Sequence, residues 1–325
     1  MRHDTKRTLP VMALLAVSAL ATGCSDFEPE EIVVDLRPIA VQTEPPEVFV
    51  AVADGADEGL VLKVTADPAP VQVNYLVVNP EDMTTPMQIE VIACLTIESR
   101  RCDDPDNTVT KVASLTSPPG TFSLTFTPTA AQLNTWLSED SFQGFGGLFV
   151  TLEAIIVQPG YPTEHVAKTV TYNVPFVPRG EGQDPPPPKL PNQNPTLDGI
   201  RFDEALSIMD GEVIELPAGR EVPMEPIFDR ERIEETYPVP TFPTSADETP
   251  GYRILDETFE VQFWVTEGAE LGASELDSDT PLGPVTDFET TIVPPATPGE
   301  EATLYIAIRD DRGGGSFYTR IIRAR

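Results

Sequence analysis

Histidine is almost missing from this chain: the sequence holds two, and one of them, His3, lies at the very start. A Ser-His-Asp relay needs an imidazole as its base. His165 alone could supply it, yet it follows the turn Pro159-Gly160-Tyr161-Pro162 at an expected strand start and reads as an exposed edge residue. The patterns G-x-S-x-G, H-E-x-x-H and G-x-x-x-x-G-K are all missing, which removes the usual signatures of serine hydrolases, zinc proteases and nucleotide-binding loops. Cysteine is scarce at three residues. Two cysteines and one distant histidine do not complete a zinc site, which takes four ligands, or three and a water. Basic side chains are outnumbered, 21 against 53 acidic, for a formal charge of −32. Such a surface repels phosphate backbones and excludes nucleic-acid binding. After the N-terminus no apolar run approaches the ~20 residues that a membrane-spanning helix requires.

Acidic residues, by contrast, are so common that some pair meets any glycosidase spacing by chance. Carboxylate pairs therefore carry no catalytic signal, and the chain is read as non-enzymatic. The charge itself keeps an exported protein soluble and monomeric; attraction of divalent cations or of a basic partner is the alternative reading. Proline is abundant, at 35 residues, and long amphipathic helical patterns are nearly absent. The chain is still 40% hydrophobic, with Val, Ile, Phe and Thr in short alternating runs. This pattern excludes wholesale disorder and predicts an all-β protein with proline-rich turns.

The N-terminus carries Arg2, Lys6 and Arg7, then an apolar run over 9–21 that ends in Leu20-Ala21-Thr22-Gly23-Cys24. A positive start, a short apolar segment and small residues before a cleavage point make an export signal. The last five residues resemble the lipobox of bacterial lipoproteins. The resemblance implies removal of residues 1–23 and acylation of Cys24, which would then hold the protein to a lipid bilayer. A plain secretory signal and an uncleaved anchor are the alternatives. Ser25 resembles the residue that sorts family members to the outer membrane, so the expected location is the bacterial envelope, outer membrane. Cleavage would remove three basic residues and one acidic residue, taking the charge to about −34.

Cys94 and Cys102 remain after such processing. An even count in an exported chain predicts a disulfide, worth about 2–3 kcal/mol for so short a loop. The next residues, Asp103, Asp104 and Asp106 with Asn107, pack carboxylates into one loop. Calcium takes oxygen ligands from such loops, but the same residues are ordinary turn formers. They are the one cofactor candidate, calcium; Asp277-Ser278-Asp279 is a lesser one.

Organisation follows the composition. Residues 24–46 read as a tether, with an early strand at 32–36. A first β-sandwich is expected over 47–178, with strands at 48–52, 60–66, 71–78, 87–95, 109–115, 121–126, 148–157 and 166–174. Phe122, Leu124 and Phe126 alternate with Ser123 and Thr125, the period of a half-buried strand. A helix is expected at 129–137, capped by Thr127 with Pro128 at its first position. Residues 179–191 contain Pro185 to Pro188 and read as a semi-rigid polyproline spacer.

A second domain is expected over 192–325, with strands at 196–202, 212–216, 221–226, 259–266, 287–293, 303–309 and 316–324. A polar insertion covers about 228–256, with a helical turn near 230–235. Its ordered elements are Asn194-Pro195, Phe263-Trp264-Val265-Thr266-Glu267-Gly268, Pro294-Pro295-Ala296-Thr297-Pro298-Gly299 and Ile308-Arg309-Asp310-Asp311-Arg312-Gly313-Gly314. Together they resemble the immunoglobulin-like and PKD-like domains of bacterial surface proteins. The expected fold is therefore two immunoglobulin-like β-sandwiches joined by the proline-rich linker. Asp310, Asp311 and Arg312 either form a plain hairpin, with glycines supplying positive φ, or present a binding loop at the sandwich tip. Trp264 is expected to pack on the second sheet or the insertion, or to lie exposed as a contact. The function these features imply is a lipid-anchored structural or interaction module, with another envelope protein as partner. A glycan-binding or calcium-dependent adhesive lipoprotein is the alternative.

Overall fold

The computed structural model describes residues 31–54, 62–96, 102, 108–173, 182, 184–203, 205–241, 251–280, 283–284 and 288–325. Cys24, the signal segment and Asp103, Asp104 and Asp106 lie outside them. The fold is all-β. No helix of the described residues is long and apolar enough to cross a membrane.

The first half runs β1 (Ile32–Val33), β2 (Arg37–Glu44), β3 (Glu47–Phe49), β4 (Val52–Asp54), β5 (Leu62–Val64), β6 (Val71–Val78), β7 (Met87–Leu95), β8 (Thr110–Ser117) and β9 (Gly120–Phe126). Helix α1 (Ala130–Glu139), β10 (Leu148–Val157) and β11 (Glu164–Asn173) complete it. A three-stranded sheet, β2-β6-β9, faces a five-stranded one, β3-β11-β10-β7-β8. Val71, Val73, Tyr75 and Val77 from β6 meet Ile89 and Val91 from β7 and Leu152 and Ala154 from β10 in one buried core. Helix α1 closes the sandwich with Leu133, Trp136 and Leu137. Its cap is Thr129, not Thr127. The Thr129 hydroxyl accepts from the amide of Gln132, whose side chain accepts in return from the amide of Thr129. This reciprocal pair satisfies two otherwise orphaned donors of the first turn, an option Thr127 lacks.

The second half contains β12 (Gly199–Phe202), β13 (Ala205–Ser207), β14 (Glu212–Leu216), β15 (Val222–Ile227), α2 (Arg230–Ile233), β16 (Thr236–Thr241), β17 (Gly251–Asp256) and β18 (Phe259–Thr266). Then come β19 (Glu270–Leu271), β20 (Glu275–Asp277), β21 (Asp279–Thr280), β22 (Gly283–Pro284), β23 (Thr290–Val293), β24 (Glu301–Asp310) and β25 (Gly315–Ala324). The sheet β1-β18-β24-β25-β14, with β20 also on β18, packs against β13-β12-β15-β23-β19. Period-two alternation places Phe259, Val261, Phe263 and Val265 inside, facing Ile200, Phe202 and Met224. The insertion holds the expected helical turn, α2, and the hairpin β16–β17.

Two expectations about the connections fail. Residues 31–46 are not a free tether. Strand β1 pairs in parallel with β18 of the second domain, and β2 pairs with β6 of the first. Val33, Ile39, Leu76, Val78 and Tyr305 form a separate buried cluster, with Trp264 and Phe317 packed on it. Trp264 and Tyr305 are cross-strand neighbours on the outer face of their sheet, so Trp264 belongs to the seam between domains. The proline-rich segment is no spacer either. Lys189 donates to Glu47 and Asn173, and Asn194 donates to the Thr43 carbonyl while accepting from Gly315 N–H. The domains abut because these apolar faces are better buried against each other than held apart in water.

Candidate functional site

The hairpin between β24 and β25 begins with a geometric demand. Gly313 has φ of 91°, a left-handed value that glycine adopts without steric cost. A Cβ at Gly314 would lie 2.1 Å from the Asp310 carboxylate. That carboxylate needs the space, because it accepts from the amides of Arg312 at 3.0 Å and Gly314 at 2.7 Å. It also accepts from the Asn192 side chain. The turn so fixed points Arg312 into the junction between the domains.

Arg312 is buried there with its side chain 3% exposed. One terminal nitrogen donates to Glu47 at 2.9 Å, across the junction, and to the carbonyl of Leu190 at 2.8 Å. The other donates to Glu235 at 3.3 Å. Glu257 lies 3.9 Å from Nε. The guanidinium sits 4.8 Å from the centre of the Tyr237 ring, and the Tyr237 hydroxyl donates to Asp311. A planar cation with five donors suits this ring of acceptors as lysine would not. Glu47 is completed by Lys189 at 3.0 Å.

Arg312, Lys189 and, beside Asp310, Lys168 thus face five carboxylates: Glu47, Glu235, Glu257, Asp310 and Asp311. Burial opposes ionisation of so many acids together. Glu257 absorbs most of the excess: burial first, then neighbouring Asp310, push its carboxyl up to about 8, against the pull of Arg312. Burial also raises Asp310 and Asp311 and lowers Lys189, with Glu47 opposing the shift. A cavity of about 250 Å³, lined by Asn192, Asn194, Thr196, Arg232, Glu235 and Glu257, opens on one side of the cluster. The arrangement works as an electrostatic lock, made of one cation shared by two domains and the linker.

Among the expected site residues, Asp310, Asp311 and Arg312 are brought together, but the loop faces the first domain and does not stand free at a sandwich tip. Cys94 and Cys102 form the expected disulfide, Cα to Cα 5.4 Å. Its removal as a Cys94→Ala, Cys102→Ala pair should cost about 2–3 kcal/mol, read as a lower urea midpoint. His165 is half-exposed, with Nδ1 2.8 Å from Glu153, and the other oxygen of that buried carboxylate accepts from Cys102 N–H. Asp277 joins Glu260 and Glu275 in a three-carboxylate group whose ligand atoms lie within 4.8 Å of one another. Arg309 already holds Glu260 at 2.8 Å.

Glu47, Lys189, Glu235, Tyr237 and Glu257 are site residues that sequence reasoning missed. Glu47 and Arg312 are 265 positions apart, and no local pattern links them.

No protein-family model matches the chain, and no curated protein matches it. Some solved structures show a distant likeness. Trypsin-activated α-2-macroglobulin from Escherichia coli is 10% identical with a TM-score of 0.21, over 86% of this chain and 18% of that one. α-L-Rhamnosidase from Dictyoglumus thermophilum is 7% identical with a TM-score of 0.24, over 90% and 29%. The chain therefore spans less than a third of either.

Proposed function

We propose that this chain is a non-catalytic, lipid-anchored envelope protein that serves as a structural or protein-interaction module. The anchor rests on Leu20 to Cys24 and the positive residues before it. The structural role rests on one observation: Arg312 is buried among Glu47 of the first domain, Glu235 and Glu257 of the second, and the backbone of the linker. A module built to transmit position needs its domains fixed to each other, and a shared buried cation does this, because separating the domains would strip it of partners. Two acyl chains suffice for stable attachment, and Ser25 favours the outer membrane.

The test is a Cys24→Ser form expressed beside the wild type. The wild type should sediment with membranes after a carbonate wash, in the outer-membrane density fraction; the variant should be released. A variant that stays with the membranes defeats the anchored reading.

A further inference from the structure

Lysine is rare in this chain, with five in 325 residues, and four of them are described. Three of the four are engaged. Lys111 pairs with Glu90 at 2.8 Å and Lys189 with Glu47 at 3.0 Å, and Lys63 has a partner too. Lys168 differs. Acidic residues number 53 in the chain, yet no carboxylate of the described residues comes within 4.0 Å of the Lys168 amine.

Its place in the fold explains this isolation. Lys168 is paired with Leu152, and alternation along β11 puts it on the face of the core residues Val170 and Tyr172. The aliphatic stem therefore leaves the strand among apolar neighbours, while the amine reaches past them. It arrives at the seam between the domains, where a Cβ on Gly315 would lie 3.8 Å from Nζ. A cavity of about 150 Å³ opens there. Ile39, Val41 and Val166 line it from the first domain, Ala307 and Phe317 from the second. Burial pushes the amine down to about 8, with Asp310 opposing the shift and Arg309 adding to it. Roughly a tenth of it is then neutral near pH 7, and a desolvated neutral lysine is a nucleophile.

The surroundings select the electrophile. A formal charge of −32 repels anionic reagents. Arg309, a lining residue with its side chain 54% exposed, repels cationic ones. Apolar walls on both sides favour an alkyl group. Acyl transfer would call for preorganised donors around an oxyanion, whereas imine formation has only to expel water.

We infer that Lys168 is a covalent site for short aliphatic aldehydes, which it holds as a reversible imine in the cavity between the domains. This adds a chemical site to the structural module proposed above and does not depend on that reading. Nζ adds to the carbonyl carbon, and one of its protons passes to the carbonyl oxygen, giving a carbinolamine. The carbinolamine then loses its hydroxyl together with the second Nζ proton as water, and a C=N bond remains. Nothing is oxidised or reduced, and water reverses both steps. The alkyl tail lies against Ile39, Val41 and Phe317.

The probe is butanal, with sodium cyanoborohydride to fix the imine as a secondary amine and peptide mass spectrometry to read each lysine separately. Near pH 7 the folded wild type should be labelled at Lys168 about tenfold faster than at Lys111, an amine whose side chain is 60% exposed. Glyoxylate, an anionic aldehyde without an alkyl tail, should lose this preference. Unfolding in urea should lose it as well. Without the reductant, dialysis should return unmodified Lys168. Equal labelling of Lys168 and Lys111 by butanal in the folded protein overturns the inference. So does a preference that glyoxylate or urea leaves unchanged, or an adduct that survives dialysis without reduction.

Discussion

Arg312→Ala should lower the free energy of unfolding by about 3–5 kcal/mol, the usual cost of removing one partner from a buried ion cluster. The loss should arise from what stays behind. Glu47 is 2% exposed and would keep Lys189 but lose Arg312, and Glu235, a quarter exposed, would lose Arg312 as well. Arg312→Met separates volume from charge, since it fills the site without neutralising anything. It should be nearly as damaging as Ala. Adding Glu47→Gln to it should recover a good part of the loss, because the acid no longer needs a counter-charge. Urea unfolding of the wild type, the two Arg312 variants, Glu47→Gln alone and the double variant measures this, and strict additivity in the double variant would show that the two residues are not coupled. Proteolysis between the domains should accelerate in parallel, since the same guanidinium holds the Leu190 carbonyl.

Glu257→Gln should act in the opposite direction, and its effect should depend on pH. The folded protein holds this carboxyl at about 8, because of burial and then Asp310, against an ordinary value of 4.5. Between those values the unfolded chain releases a proton that the folded chain keeps. Stability from this group is complete below about 4.5, declines as pH rises through 8, and is then lost. Glutamine stays neutral throughout, and its oxygen can accept from Glu235 N–H as the carboxylate does. The variant should therefore match the wild type near pH 5 and exceed it by roughly 3–5 kcal/mol above pH 8, a magnitude set by the size of the shift. The check is the difference in melting behaviour between the two forms from pH 5 to 9. A difference that stays flat across this range would mean that the proton sits elsewhere in the cluster. Asp310 and Asp311 are raised too, so from pH 5 to about 8 the wild type alone should lose stability with the same sign; above that, the lowered Lys168 acts in the opposite direction.

Strands that follow the period-two rule were readable directly. The segments expected at 71–78, 87–95, 148–157, 212–216 and 259–266 are β6, β7, β10, β14 and β18, with the same boundaries. The disulfide was readable because the two cysteines left after the expected export signal stand only eight residues apart. What eluded the sequence was association over distance. Ile32 and Val265 are paired, yet two residues of strand carry almost no periodicity. Arg312 stands among glycines and aspartates, a composition that signals an exposed turn, and only tertiary packing turns it inward. One signal was available. From Tyr75 to Val78 the alternation of β6 gives way to four buried residues in a row, the pattern of a strand covered on both faces. Its second face meets the other domain.

The pairing of β1 with β18 also sets a mechanical path. The chain runs as β1 on the second domain's sheet, then crosses to β2 in the first. A pull from that end does not load the domains in their order along the chain. It loads β1 along its own axis against a sheet that also contains β25, so the second domain's sheet bears the tension first. Yielding begins only when β1 slides, and that bears on a seam containing Val33, Trp264 and Tyr305.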